Sequence, residues 1–239
     1  MKNYRADLHI HTVLSPCASL DMSPDNIIKE AIKKKLDIIG ITDHNSTKQC
    51  KVVDVLGKKN GIKVLLGVEV SSKEEVHCLA YFESYTELAL FQEYIDQHLP
   101  YIKNQSKKFG DQVWVNQFNE IIGIEERLLI VGLKQTIDEI AIKVKELSGI
   151  FIPAHINKAR NSLISQLGFM PTNLSVNAIE VFKGTDIDAL CKLHKWAAQY
   201  SILTNSDAHE LQQIGQNCNN IQLEAPTFQA IKETLKKGL

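Results

Sequence analysis

A chain of 239 residues, 44% hydrophobic and 23% charged, has the size and make-up of one globular enzyme domain with a large core. A net charge of -1 supplies no basic field for long nucleic acid, and the lysine runs at 33–35, 107–108 and 236–237 read as solvated helix faces. Five cysteines without paired spacing, no apolar signal core and no membrane-length apolar run together predict a reducing, cytoplasmic location.

Strand-like and helix-like stretches alternate from end to end, the pattern of a mostly parallel α/β protein. The first strand, 6–12, reads ADLHIHT. Residues i and i+2 of a strand point to one side, so His9 and His11 can address a single point. Asp7 reads as an outer partner that orients an imidazole. A helix follows at 23–35, with Ser23 as N-cap, Pro24 in the first turn and an apolar stripe of Ile27, Ile28, Ala31 and Ile32. The second strand, 37–42, ends at Asp43-His44. A helix N-cap for the helix at 47–59 explains Asn45 or Ser46 well and His44 poorly.

The third strand, 64–70, is apolar enough to be buried on both faces, yet it carries Glu69. A buried glutamate without a partner costs several kcal/mol, so it needs a metal or a cation, and a structural salt bridge is the plainer alternative. His77 opens the next strand-like run, 78–82, which leads to a helix at 86–99. Alternating apolar runs around 117–120 predict a β-hairpin, and 83–135 is expected to be a helix-plus-hairpin insertion over the active-site mouth. A helix at 136–147 and a strand at 150–154 lead to His155. A strand at 178–182, a helix at 187–199 and a strand at 201–204 lead to Asp207 and His209. A last strand, 220–223, and a helix, 227–237, complete the chain. His98 and His194 fall in helical stretches and are expected to pack or face solvent. Cys50, Cys78, Cys191 and Cys218 are expected to be small buried or partly buried residues.

Imidazole and carboxylate together are the ligand set of Zn, Mn and Fe. Each of these residues alone is more simply a satisfied core or surface group. Their joint recurrence at strand ends points instead to a polynuclear metal site, because the C-terminal strand ends of a β/α barrel surround one opening.

The series D-L-H-x-H-T, I-T-D-H, G-x-E, a strand-borne His, A-H and S-D-A-H resembles the PHP (polymerase and histidinol phosphatase) superfamily from residue 5 to about residue 209. Within it the chain looks most like the stand-alone metal-dependent phosphoesterases. The resemblance implies a single α/β domain over 1–239, a distorted seven-stranded (β/α) TIM-like barrel holding two or three divalent metal ions (Mn, Fe or Zn). It assigns His9, His11, Glu69 and Asp207 to a first ion. Glu69 would bridge to a second held by His77 and His155, with His44 and His209 on a third. The chain departs from the pattern at Cys17, which falls where some relatives place a histidine. Its thiolate is either the remaining ligand of the third ion or a merely buried or oxidisable thiol.

The implied reaction is hydrolysis of a phosphate mono- or diester by a metal-activated hydroxide, with Glu69 and Asp207 as catalytic groups. Lys158, Arg160, Arg127 and Lys183 are candidates for binding the substrate phosphate, each otherwise a surface salt-bridge partner. A small phosphorylated substrate is expected, a nucleotide or short oligonucleotide among them, and no membrane. Three alternatives remain: an exonuclease acting on 5′ ends, an amidohydrolase-like C–N hydrolase, and a non-enzymatic metal-bound regulatory module. The second is weakened because that family opens with H-x-H but does not pair a central Glu with T-D-H and a terminal D-x-H.

Overall fold

Short apolar runs, several of them followed by an amphipathic helix, build the molecule. A computed structural model describes residues 1–237. In chain order the elements begin β1 (Lys2–Ile10), α1 (Pro24–Lys33), β2 (Ile38–Ile41), α2 (Cys50–Lys59), β3 (Lys63–Ser71) and β4 (His77–Phe82). They continue α3 (Tyr85–His98), α4 (Ser106–Phe109), β5 (Val113–Val115), β6 (Ile121–Ile124), α5 (Ile137–Glu146), β7 (Ile150–Pro153) and α6 (Leu163–Leu167). Last come β8 (Ile179–Glu180), α7 (Ile187–Leu193), β9 (Ile202–Leu203), β10 (Asn219–Leu223) and α8 (Phe228–Lys237).

The main sheet has six strands in the order β10-β1-β2-β3-β4-β7, and β8 pairs with β9 in a separate parallel sheet. The Tyr81 hydroxyl on β4 donates to the carbonyl of Leu8 on β1. Those strands would stand about 14 Å apart in a flat sheet, three spacings along, so the sheet must curl for the two to meet. A continuous seven-stranded barrel is not what forms. Isolated backbone bonds join the sheet to the β8–β9 side, such as Asn177 N–H to Phe151 C=O at 2.9 Å and His11 N–H to Ala208 C=O at 3.0 Å. Strands of two residues are too short to extend a ladder, and the loops after them do the closing.

The sheet is also less parallel than expected. Only β1, β2 and β3 run together; β4 is antiparallel to β3, β7 to β4, and β10 to β1. The connection 72–76 is too short for a crossover helix, so β4 must turn straight back. Side chains alternate across β3 and β4, with Leu65, Leu79 and Tyr81 in one buried cluster and Val64, Leu66, Val68, Cys78, Ala80 and Phe82 in the other. Glu69 therefore shares a face with Leu65, and His77 with Leu79 and Tyr81.

Helix α1 buries Ile27, Ile28 and Ala31 as the stripe predicts, but Ile32 is exposed. Ser23 is the N-cap residue, without a side-chain capping bond. Strands β5 and β6 form the predicted hairpin. Its base is held to the segment after β2, where the Gln49 side chain exchanges two 2.9 Å hydrogen bonds with the backbone of Val115.

Gly67 leaves room for the ring of Tyr81, its partner across the β3–β4 pair. A Cβ there would come 2.5 Å from Tyr81 Cδ1 and 2.9 Å from the Ala80 carbonyl oxygen. Gly67→Ala is expected to cost about 1–3 kcal/mol by overpacking, seen as a melting temperature lowered by about 3–10 °C. An unchanged melting curve would mean that the ring moves aside at no cost.

Candidate metal centre

Strands β1, β2, β3, β4 and β7 of the curled sheet, with the loop after β9, deliver ligand types to the same end. His9 lies in β1 and His11 just past it; His44 follows β2, Glu69 sits in β3, and His155 follows β7. Asp207 and His209 follow β9. His77 arrives differently from a barrel ligand. It is the first residue of β4, opposite Ser71, because the antiparallel turn brings a strand start to this end. His98 instead turns its Nδ1 to the Tyr94 carbonyl at 2.7 Å, and the His194 ring stands beside Trp196.

The first donor set is His9 Nε2, His11 Nε2, Glu69 and Asp207 Oδ1. His9 Nε2 lies 3.3 Å from His11 Nε2, 3.4 Å from Glu69 Oε1 and 3.4 Å from Asp207 Oδ1. His11 Nε2 lies 3.4 Å from Glu69 Oε2 and 3.5 Å from Asp207 Oδ1. His9 Nε2 and His11 Nε2 thus each lie 3.3–3.5 Å from the other, from a Glu69 oxygen and from Asp207 Oδ1, spacing on which one ion could draw.

Glu69 Oε1, which His9 faces, also lies 2.9 Å from His77 Nδ1 and 3.1 Å from His155 Nε2. His44 Nδ1 is 2.9 Å from Glu69 Oε2, yet both atoms are buried and neither has a hydrogen-bond partner. Two buried polar atoms this close without hydrogen-bond geometry are what a shared cation would satisfy. His11, His44 and His209 form a further cluster, their ligand atoms within 4.8 Å of one another, and the His11 and His209 rings stack 4.1 Å apart. His44 thus faces both the Glu69 side and the His209 side. The residues present fit a polynuclear metal centre of His and Glu donors.

Partners behind the ligands aim them. Ser15 Oγ gives its one proton to Asp43 at 2.7 Å, so it must accept from His11 Nδ1 at 2.9 Å, leaving His11 Nε2 to face the centre. Asp43 also takes the Thr12 amide at 2.7 Å and the Thr12 hydroxyl at 2.8 Å. A capping role for the Asp43-His44-Asn45-Ser46 stretch does not hold, because Gln49 is the N-cap of α2. Asn45, at φ 45°, instead ties the loop to the carbonyls of Leu129 at 2.6 Å and Val131 at 2.8 Å.

Asp7 does not orient an imidazole. It lies one strand repeat, about 7 Å, below His9, and its oxygens accept the backbone amides of Ser206 at 3.1 Å and Gly215 at 2.8 Å. The carboxylate that meets the His9 ring at Nδ1 is Glu180, at 3.0 Å, which has no histidine beside it in sequence to mark it. A weaker signal is there all the same, since Glu180 in AIEVF is a glutamate in an apolar strand like Glu69 in GVEVS.

Three of the ligand-side residues hold left-handed backbone, Asn45 at φ 45°, His155 at φ 28° and Asp207 at φ 51°. Such conformations cost roughly 1–3 kcal/mol each and persist where surrounding contacts over-determine them. Burial pushes Asp207 up, but the His9 charge and the His11 hydrogen bond outweigh it and hold the carboxyl well below its usual range. Burial likewise opposes ionisation of Glu69, and His77, His9 and His44 reverse it. Burial pushes His9 down, while Glu180, Asp207 and Glu69 together hold it well above its ordinary value.

Cys17 is exposed as a residue, but its thiol stands near enough to His44 and His209 to feel both. Burial of the thiol raises its pKa, and the two histidines more than offset this, bringing it to about 6. Alkylation of the metal-free protein by iodoacetamide should therefore rise as pH climbs through about 6, rather than through the ordinary 8–9. Added zinc should slow it at least ~10-fold if the thiolate is a ligand, and Cys17→Ser should then lower the ion count by up to one. Equal alkylation with and without zinc would return Cys17 to a bystander thiol. Cys50 and Cys78 are buried, and Cys191 and Cys218 partly so.

Carboxylates and imidazoles gathered at the open end of a curled α/β sheet define a protein built around candidate metal sites. The chain belongs to the PHP domain family, whose profile matches residues 7–159. It is similar to uncharacterised protein YqxK of Bacillus subtilis, 24% identical over 99% of this chain and 62% of that one. Among solved structures, the lesion-specific endonuclease Q of Pyrococcus furiosus matches with TM-score 0.76 at 22% identity, over 99% of this chain and 56% of that one. A second endonuclease Q structure holds a 27-mer duplex with an abasic lesion at its active site, and matches with TM-score 0.75 at 22% identity, over 99% of this chain and 57% of that one. A Bifidobacterium adolescentis protein described as a metal-dependent phosphoesterase matches with TM-score 0.63 at 18% identity, over 98% of this chain and 96% of that one. At these identities the structural likenesses show the fold. The chain spans less than two thirds of YqxK and of endonuclease Q. No helix among the described residues is long and apolar enough to cross a membrane.

Proposed function

We propose that this protein is a metal-dependent phosphoesterase that hydrolyses a phosphate mono- or diester, with a nucleotide or short oligonucleotide as substrate. The observation that carries the reading is the convergence of His9, His11, Glu69 and Asp207, drawn from three distant stretches of chain. Family membership and the fold shared with a phosphoesterase support it. His9, His11, Glu69 and Asp207 would hold one ion, and Glu69 with His77 and His155 a second. His44 and His209, with Cys17, would hold a third where it is present. Bound Mn, Fe or Zn supplies Lewis acidity, lowering the pKa of a coordinated water towards ~7 and neutralising phosphate oxygens.

The chain's own residues then set what can react. Asp207 points Oδ1 at His9 and His11 and accepts Lys158 Nζ on Oδ2 at 2.9 Å. With both oxygens engaged it holds and orients rather than shuttles a proton. Lys158 is half-exposed beside it, so the same ammonium can turn towards a substrate phosphate. Lys183 lines a shallow depression with His155, Phe182 and Asp207, and Arg160 is exposed two residues past Lys158. Arg127 is better removed from the phosphate-binding set. Its guanidinium is held by Asp96 at 2.6 Å and Glu125 at 3.2 Å, a pairing that substrate would have to break. The segment 83–135 would flank the mouth and shape access, since Asn45, next to His44, is tied to its carbonyls at 129 and 131.

Phosphate release from nucleoside monophosphates, dinucleotides and 5′-phosphorylated oligonucleotides, with Mn added, tests the reading. Arg160→Ala should raise KM about 3–10-fold with kcat and metal content near wild type, because it removes ground-state binding at a distance from the ligands. No turnover of any substrate with Mn, Fe or Zn would favour the regulatory module. A specific observation favours nuclease action within this reading: the fold is shared over 99% of the chain with endonuclease Q, a DNA-cleaving protein. The charge of -1 argues for short or locally gripped nucleic acid rather than a long duplex track.

A further inference from the structure

Glu180 stands at the end of β8 with 2% of its surface exposed, and its carboxylate meets only donors. Asn205 Nδ2 donates to Oε1 at 2.7 Å, and the backbone N–H of His155 donates to Oε2 at 2.8 Å. His9 Nδ1 lies 3.1 Å from Oε1 and 3.0 Å from Oε2. Asn205 cannot be turned round, because its own Oδ1 accepts the Leu8 amide at 3.0 Å and Asn219 Nδ2 at 2.8 Å. One carboxylate therefore joins β1, the loop after β7 and the loop after β9.

The consequences reach both halves of the centre. A carboxylate only accepts, so His9 must carry a proton on Nδ1, and the lone pair of the metal-free site's neutral tautomer lies on Nε2, towards Glu69 and Asp207. His155 is held at φ 28°, a conformation that needs external support, and its anchored N–H supplies it. That backbone setting carries the ring to 3.1 Å from Glu69 Oε1, the oxygen that His9 Nε2 also faces at 3.4 Å.

We propose that Glu180 is a positioning residue that couples the two donor sets, fixing the aim of His9 in the first and of His155 in the second. The proposal rests on the metal-centre reading above. It assigns Glu180 no contact with substrate or ion. It requires the negative, acceptor-only carboxylate rather than a group of similar size. In Glu180→Gln the amide N–H2 would face the His155 N–H in one orientation, and the His9 and Asn205 donors in the other.

The test is a zinc titration of wild type, Glu180→Gln and Glu180→Asp against a competing chelator, followed by cobalt substitution. Wild type should bind at least two equivalents. Glu180→Gln should bind both the first and the second about 10–100-fold more weakly, the range seen for partners behind metal-bound histidines. Its cobalt complex should show altered visible absorption, because the His9 ligand is misaimed. Glu180→Asp, which keeps the charge one methylene short, should recover part of the affinity. Melting of the metal-free proteins separates positioning from bulk structure. A large drop for Glu180→Gln with zinc affinity intact would overturn the proposal, as would wild-type affinity and an unchanged cobalt spectrum in both variants. Loss confined to one equivalent would overturn the coupling. Wild type that takes up no zinc, manganese or iron is a different result, and it removes the metal-centre reading itself.

Discussion

Glu69→Gln should leave a folded protein with turnover reduced by ~100-fold or more. The carboxylate is 1% exposed and lies within 3.4 Å of His9, His11, His44, His77 and His155. Each of its oxygens serves different partners, Oε1 towards His9, His77 and His155, Oε2 towards His44 and His11. Glutamine keeps the volume and one acceptor, but its N–H2 would face imidazole nitrogens that are themselves candidates to bind metal. A partner behind a ligand costs roughly 10–100-fold in affinity, and a group shared between two donor sets should cost more. Phosphate release and elemental analysis on the same preparation give the check. Turnover and ion count equal to wild type would mean that Glu69 is a structural counter-charge for the histidines.

His9→Ala combined with His11→Ala should remove at least one ion per chain from protein prepared without chelators, and with it the phosphoesterase activity. The melting temperature should fall, because losing His9 strands the buried charge of Glu180. Breaking a buried pair costs roughly 3–5 kcal/mol, or about 10 °C in a chain of this size. His11→Ala alone is gentler, since its Nδ1 partner is the neutral Ser15 hydroxyl. Metal uptake should also depend on pH in a defined direction. His9, His44 and His209 are each held above their ordinary pKa in the metal-free protein, so an ion must displace their protons. Affinity should weaken as pH falls through those raised values and strengthen above them, with proton release on binding. Zinc titrations at two pH values settle the sign, and pH-independent uptake would mean that these histidines do not bind the ion.

The imidazoles and carboxylates are legible in the sequence because chemistry restricts them. A glutamate inside an apolar strand needs a cation or a donor set to hold its charge, and two histidines on one face of a strand end share one target. Glu180 in AIEVF meets the first condition as fully as Glu69 does, but no histidine stands beside it in sequence to point at a metal. The spacing of Asp7 from His9 fixes its face of the strand but not its depth, and depth is what takes it away from the imidazole. Ser15 and Asp43 work as a pair across 28 residues, and nothing in either neighbourhood shows that a serine proton goes to that aspartate.

Residue types, the alternation of strand and helix and the hairpin within 83–135 were determined by the sequence itself, because local periodicity and ligand chemistry act over a few residues. Strand direction, closure and aim were decided only by the tertiary structure. A five-residue connection turns β4 back and presents His77 from a strand's beginning, while two-residue strands leave the last part of the curl to loops. Which nitrogen of His9 and of His11 faces the centre depends on what lies behind the ring, and those partners come from β8 and from the loops after β1 and β2. Long-range hydrogen bonds carry that information, and they exist only once the sheet has curled.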